Sequence, residues 1–523
     1  MTRQSQAPLV EWLLGKYGPN LSSFIARHLS GTAGVSNDYA RKIIQRSAPI
    51  VLRLNEIRFP RNELFLYLKE HYQGEIFWRS LLQAFDATGS VYGLAVNSLI
   101  AREGIVPLAH FGTISGSPTR LTGHLSHDVV LKRLVDIGLL DFVDSAVWGQ
   151  CVTFGQHSPF DKGDLLTLKA RTVAEKIVLD ALGEWARKLG LASFGKVALR
   201  GDRKQPQFGQ FNWDLTAPTY LQPFVRHSEG FRPTPGFFVA DVLLGKVVTQ
   251  EEVRYFVNKA AIMRRQRRTR PFLGLLVADY YMPEAFKLGK GEGLIFTTPD
   301  VLFGNGISAA LRELIQTLKN AAAAAVKNPD VIHDLFAKLG RIEGAALNLR
   351  GPLFEMILAY CSRREGSVDI GVSVRDPNTG ELAEIDVLVK ASTTVRACEC
   401  KGYSTNMVDV DEVKKWLEVR VPRIRRYLLN DTYFRKFPLR FEFWIPGEFT
   451  ASALTYLRGK KHQSGNYQID WKDGNALRRY VSELKEPYVL KILDEQYFRH
   501  PLPRTIASAV RSAETSILSE ATV

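Results

Sequence analysis

The run ELAEIDVLVKASTTVRACECKG, residues 381–402, sets acids and a lysine inside two stretches with strand-like alternation. Side chains two apart on a strand share a face, so Glu399 and Lys401 point together while Cys398 and Cys400 point the other way. Asp386 lies on the preceding strand, and the KASTT turn can bring the two strands side by side. Glu355 sits on the helix before them and can approach from its first turns. Three carboxylates and one ammonium in one cleft are costly unless something compensates them. A divalent cation would remove the carboxylate repulsion, and hard oxygen ligands select Mg2+ or Mn2+. Lys401 would then stand near a metal-bound water or a scissile phosphate. The competing reading is an ordinary salt bridge between Glu399 and Lys401 on an exposed edge strand.

The elements around this run read as a helix (GPLFEMILAYCSRR), then strands VDIGVSVRDP, ELAEIDVLV and TTVRACECKG, then a helix (VDEVKKWLEVRVPRIRRYLL). A strand (RFEFWIPG), a helix (ASALTYLRG), a strand (NYQIDWKDG) and NALRRYVSEL follow. Residues 165–320 run in the same order: TVAEKIVLDALGEWARKLG, FNWDLTAPTYL, PGFFVADVLLGK, TQEEVRYFVNKAAIMRRQRR, PFLGLLVADYY and GLIFTTPDVLFG. The local grammar also matches, which points to an internal duplication of low identity.

In that order, Glu355, Asp386 and Glu399-Cys400-Lys401 resemble the PD-(D/E)XK nucleases, the restriction-endonuclease-like superfamily. The resemblance covers residues 345–495, under a third of the chain, and its D-x12-E-x-K spacing is more specific than ExK alone. It implies that Asp386, Glu399 and the Cys400 backbone carbonyl hold Mg2+ or Mn2+. It also implies that Lys401 positions or polarises the attacking water and that Glu355 supports a metal or its waters. Ile385 stands where the family name has proline. In the first copy, Glu175, Asp214 and Asp241 occupy corresponding places, but Leu243 takes the lysine position, and Lys246 would lie on the opposite strand face. That copy is therefore expected to be a degenerate, positioning domain, unless Lys246 or an arginine substitutes. Arg264, Arg265, Arg267, Arg268 and Arg270, and in the second copy Arg420, Arg423, Arg425 and Arg426, follow the third strands, where helices line the substrate cleft in this family. They are candidates for phosphate contact, against the reading of a solvated, salt-bridged face.

Upstream, LVEWLLGKYG, LSSFIARHL and SNDYARKIIQRS read as helices with Ser22 and Ser36 or Asn37 at N-caps, followed by a strand, IVLRLNEIRF. This order resembles winged helix-turn-helix modules, with Arg41, Lys42 and Arg46 on the helix that would meet DNA. Residues 1–58 carry eight basic side chains against three acids, a balance of +5. A second such unit is expected to follow, with RNELFLYLKEHYQ, FWRSLLQAFD and VYGLAVNSLIAREG as helices and HDVVLKRLVDIGLLDFV near its end. The alternative is that both units are helical adaptors for protein.

The chain has 523 residues, 45% of them hydrophobic, too long for one domain and ample for several cores. Its net charge of +15 favours a polyanionic partner, most simply nucleic acid. The four cysteines include no CxxC pair, which argues against a disulfide framework or a structural zinc. No long apolar run, signal-like N-terminus or GxxxxGK[ST] occurs, so the expectation is a cytoplasmic protein without membrane span or P-loop motor. The expected fold class is multidomain α/β. Winged-helix-like modules at 1–58 and 59–160 precede a degenerate nuclease-like domain at 161–325, a helical linker at 326–344 and a PD-(D/E)XK domain at 345–523. The expected function is a Mg2+- or Mn2+-dependent endonuclease acting on DNA, of an architecture that resembles bacterial defence effectors and restriction enzymes. It would act as a homodimer or with a partner protein of a defence system. The alternatives are an RNase using the same site and a DNA-binding regulator without catalysis.

Overall fold

The computed structural model describes residues 7–47, 49–193, 195–226, 233–321, 330–340, 345–402, 407–463 and 467–498. Most of the alanine-rich stretch and residues 499–523 of the expected nuclease domain lie outside these. The chain is a mixed α/β protein with several small sheets. It divides into two compact units: residues 1–143, 149–168 and 182–302 in the first, and 144–148, 169–181 and 303–523 in the second. Among the described residues no helix is long and apolar enough to cross a membrane.

The first unit begins with helices Ala7–Tyr17, Ser22–Ala33 and Asn37–Arg46 and a small sheet of Asn20–Leu21, Leu52–Arg53 and Phe65–Tyr67, the last strand in the middle. Ser36 caps the third helix, its Oγ accepting from the Tyr39 amide. Ser22 is not a cap. It is the first helical residue, and its Oγ bonds Glu63 and the Leu64 amide instead. Of the expected strand IVLRLNEIRF only Leu52–Arg53 pairs.

The expected helix RNELFLYLKEHYQ is also corrected, because Phe65–Tyr67 is the central strand. Phe65 and Tyr67 enter one hydrophobic core while Leu66 and Leu68 enter another. Alternate residues serving two cores require an extended chain. The sheet of the first segment thus draws on residues beyond 58. Helices Glu75–Thr88 and Val91–Ile100, strand Ile105–Pro107, helices Leu108–Ile114 and His127–Asp136, and strands Leu140–Ser145 and Gly149–Phe154 then repeat the plan. Again the last strand is central.

The α/β part of the first unit has a five-stranded sheet: Ala198–Leu199, Leu215–Thr219, Gly236–Val248, Phe272–Tyr281 and Ile295–Thr297, in that spatial order. The first three strands are antiparallel and the last three parallel, with helix Gln250–Arg265 crossing between the third and fourth. The second unit repeats this topology with Gly366–Arg375, Leu382–Ala391, Val395–Cys400, Leu439–Trp444 and Gln468–Lys472. Its crossing helix runs from Val410 to Asn430 and widens into a π-helical turn at Lys415–Arg420.

Helix Ala345–Ser362 precedes this sheet. The chain leaves the third strand through Gly402, where a Cβ would lie 2.4 Å from the Arg350 carbonyl oxygen. Only glycine lets the strand end rest on the helix that carries Glu355.

Candidate active site

Val387 pairs with Cys398 across the second and third strands of the second unit, so Asp386 stands opposite Glu399. The Cys400 amide donates to Asp386 Oδ2 at 2.7 Å, fixing that carboxylate against the third strand. Lys401 Nζ lies 2.9 Å from Glu399 Oε1 and 3.9 Å from Glu412. The Glu399–Lys401 ion pair therefore exists, but at the end of a buried central strand, with the half-buried Lys401 one residue beyond it, not on an exposed edge. Glu399 is 3% exposed. Burial works against the charge of Lys401, yet Glu399 and Asp386 outweigh it and hold its pKa above the usual lysine range. Lys401 is thus an ammonium, a hydrogen-bond donor and a point charge rather than a base.

Two cations join these acids that the motif did not indicate. The Arg420 guanidinium, from the last residue of the π-helical turn, also pairs with Glu399 Oε1. Lys169, from the part of helix Leu165–Lys188 that belongs to the second unit, bridges Glu355 at 3.0 Å and Glu384 at 2.9 Å. Glu384 was legible in principle, since it sits two residues before Asp386 on the same strand face. Lys169 was not, because it is 186 residues from Glu355 in sequence.

Glu355 therefore joins the acidic group through Lys169 and from the middle of its helix rather than its first turns. Burial pushes the Glu355 and Asp386 carboxyls above the usual range, and neighbouring carboxylates add to the shift. The Cys398 and Cys400 thiols are buried and pushed up as well, as packing residues should be. A cleft of about 410 Å3 opens on Glu399, Lys401, Glu412, Lys415 and Arg420.

The first unit holds a counterpart with a different outcome. Leu215 pairs with Ala240, so Asp214 stands opposite Asp241, and the Val242 amide donates to Asp214 as Cys400 does to Asp386. Leu243 supplies no charge, and Lys246 is committed to Glu252. Instead Lys259, from the crossing helix, reaches Asp241 at 2.6 Å and the Thr113 and Asn212 carbonyls at 3.1 and 2.9 Å. Both Lys259 and Asp241 are fully buried. The missed signal was a lysine on the apolar face of that helix, with Phe256, Ala260 and Met263. Glu175 lies on the helix segment of the second unit and faces Arg171 at 3.6 Å.

The basic candidates divide by environment. Arg41, Lys42 and Arg46 are all exposed while Ile43 and Ile44 between them are buried, and Arg265, Arg267, Arg268 and Arg270 are also exposed. Arg264 is tied to Glu292 and Gly293. Arg423 pairs with Glu381 at 2.5 Å, Arg426 grips Asp376 through two nitrogens, and Arg425 stacks over Tyr467. Among the described residues no three His, Cys, Asp or Glu side chains converge as a preformed metal cage.

No known protein family model matches the chain, and no curated protein matches it. One solved structure, the restriction endonuclease FokI bound to DNA, is similar at a TM-score of 0.17 and 12% identity. The likeness covers 54% of this chain and 60% of that one, and at this score the geometry above has to stand without it.

Two measurements check the electrostatics. Lys259→Met leaves the Asp241 carboxyl without its partner in a dry interior, so it should cost about 3–5 kcal/mol, and Asp241→Asn in the same chain should restore much of that. Equal stability of the single and double variants in urea unfolding would contradict the ion pair. For Asp386 the folded pKa is raised, so its stabilising form is the protonated one, present at low pH and lost as pH rises through the folded value. Asp386→Asn keeps an acceptor for Cys400 and should be more stable than wild type at neutral pH in chelator. The difference should vanish towards acid pH, and a gap independent of pH would refute the assignment.

Proposed function

We propose that the chain is a metal-dependent endonuclease that hydrolyses phosphodiester bonds in DNA, with its working centre in the second unit. The observation that carries this reading is the register that sets Asp386 opposite Glu399, with the Lys401 ammonium on Glu399 at the mouth of a solvent-open cleft. The donor set suits a hard divalent cation in kind, because it is made of carboxylate oxygens and a strand carbonyl. Asp386, Glu399 and the Cys400 carbonyl would hold Mg2+ or Mn2+. The ion would supply positive charge to the phosphoryl oxygens and a more acidic bound water.

The chain's own groups define the rest. Lys401 donates hydrogen bonds toward the phosphate or the incoming water, and Glu399 keeps the ammonium charged and aimed. Lys169 holds Glu355 and Glu384 in place, which spares Asp386 two mobile neighbours of its own sign. The first α/β copy is read as a non-catalytic platform, since its acid is closed off by Lys259.

Purified full-length protein with Mg2+ or Mn2+ should nick or cut duplex DNA. Glu399→Gln and Lys401→Met should each lower the rate on the order of 100-fold or more while the fold persists. Full-rate cutting by Glu399→Gln would retire the site. Cleavage of RNA in preference to duplex DNA would move the substrate assignment and leave the chemistry intact.

The two α-β-α-α-β-β segments of the first unit are read as winged-helix-type DNA readers. The exposure of Arg41, Lys42 and Arg46 on the third helix supports this. Neutralising all three should flatten the slope of log affinity against log salt by up to about three units, at roughly 0.9 per lost phosphate contact. An unchanged slope would make these segments protein adaptors instead.

A further inference from the structure

Glu399 Oε1 carries two cations at once, the Lys401 ammonium and the Arg420 guanidinium, although it is a single negative charge. One of them can leave without stranding a buried carboxylate. The two are not equally free to go. Both line the cleft, but Lys401 is 19% exposed and sits one residue past the strand that holds Glu399, whereas the Arg420 side chain is 33% exposed and reaches in from the crossing helix. It also issues from a π-helical turn, an irregularity of α-helices that is frequent at functional sites.

The first unit supplies the comparison. There the crossing helix also sends a cation to the third-strand acid, but Lys259 is the sole cation within ion-pair distance of Asp241 among the described residues. It is sealed at 0% exposure and held by two backbone carbonyls. Its departure would leave a bare charge in a dry interior, so that pair is permanent. The same pairing in the second unit has become surplus and wet.

We propose that Arg420 is an exchangeable counter-ion: it pairs with Glu399 in the free protein and transfers to a phosphate of bound nucleic acid. The exchange frees Glu399 for the divalent cation. This rests on the nuclease reading of the same site. A guanidinium suits the exchange because its planar fork matches carboxylate and phosphate equally well. Lys401 stays behind and keeps Glu399 from being left uncompensated during the swap. Metal and substrate would then load cooperatively, since each removes the competitor of the other.

The test is Mn2+ binding to full-length protein without nucleic acid, by calorimetry or electron paramagnetic resonance, for wild type, Arg420→Gln, Arg420→Lys and Glu399→Gln. Arg478→Gln, which loses a charge paired with Asp494 instead, controls for net charge. Arg420→Gln should bind Mn2+ about tenfold more tightly than wild type, the scale of one competing ion pair removed, and Arg478→Gln should not. Arg420→Lys, which keeps the charge, should fall between and covers the case in which the glutamine variant does not fold. In EDTA, Arg420→Gln should bind a short duplex more weakly, with a salt slope shallower by about 0.9. Mn2+ affinity in Arg420→Gln at or below the wild-type value overturns the exchange. Glu399→Gln binding Mn2+ as tightly as wild type would instead defeat the metal-site reading beneath it.

Discussion

Two acids face each other across a pair of antiparallel strands, Glu399 buried and Asp386 half-buried. Like charges at that separation in a buried setting do not persist unless they are protonated, paired or bridged. Each polar feature nearby answers that constraint. The Cys400 amide takes one oxygen of Asp386, Lys401 and Arg420 take Glu399, and Lys169 takes the flanking Glu355 and Glu384. Burial is the first cause that raises the Glu355 and Asp386 carboxyls, and the neighbouring acids add to it.

The first unit meets the same constraint with the same backbone and a different closure. Asp214 and Asp241 hold the same register, and an amide one residue along donates to the first acid. Replacing a strand lysine by Leu243 removes one cation, and Lys259 supplies one from the helix. Because Thr113 contributes a carbonyl, that ammonium also ties the crossing helix to the Leu108–Ile114 helix. A pair of this kind serves architecture. Its partners are desolvated and fully engaged, and nothing can enter.

In the N-terminal part, one strand does the organising. Phe65–Tyr67 divides its side chains between two cores, so the first and second segments share an element that neither could place alone. With the apolar faces committed inward, the third helix is left with Arg41, Lys42 and Arg46 toward solvent. A high positive charge on a short helix is then a surface property available for a polyanion.

By itself, the sequence determined most of the periodic content: the order of helices and strands in the second α/β copy and, apart from strand Ala198–Leu199 and helix Pro283–Gly291, in the first, the shared face of Glu399 and Lys401, and a cap at Ser36 or Asn37. These follow from local spacing, which fixes which side chains lie together on one element. It also carried the loss of the lysine at Leu243. Tertiary structure decided what pairs with what across elements. Phe65–Tyr67 became a strand because two cores claimed its alternate faces. The counter-ions Lys169, Lys259 and Arg420 arrive from helices 186, 18 and 21 residues away from their acids. A cation is drawn to a buried acid by proximity in space, and spacing along the chain holds no record of that distance until the fold has closed.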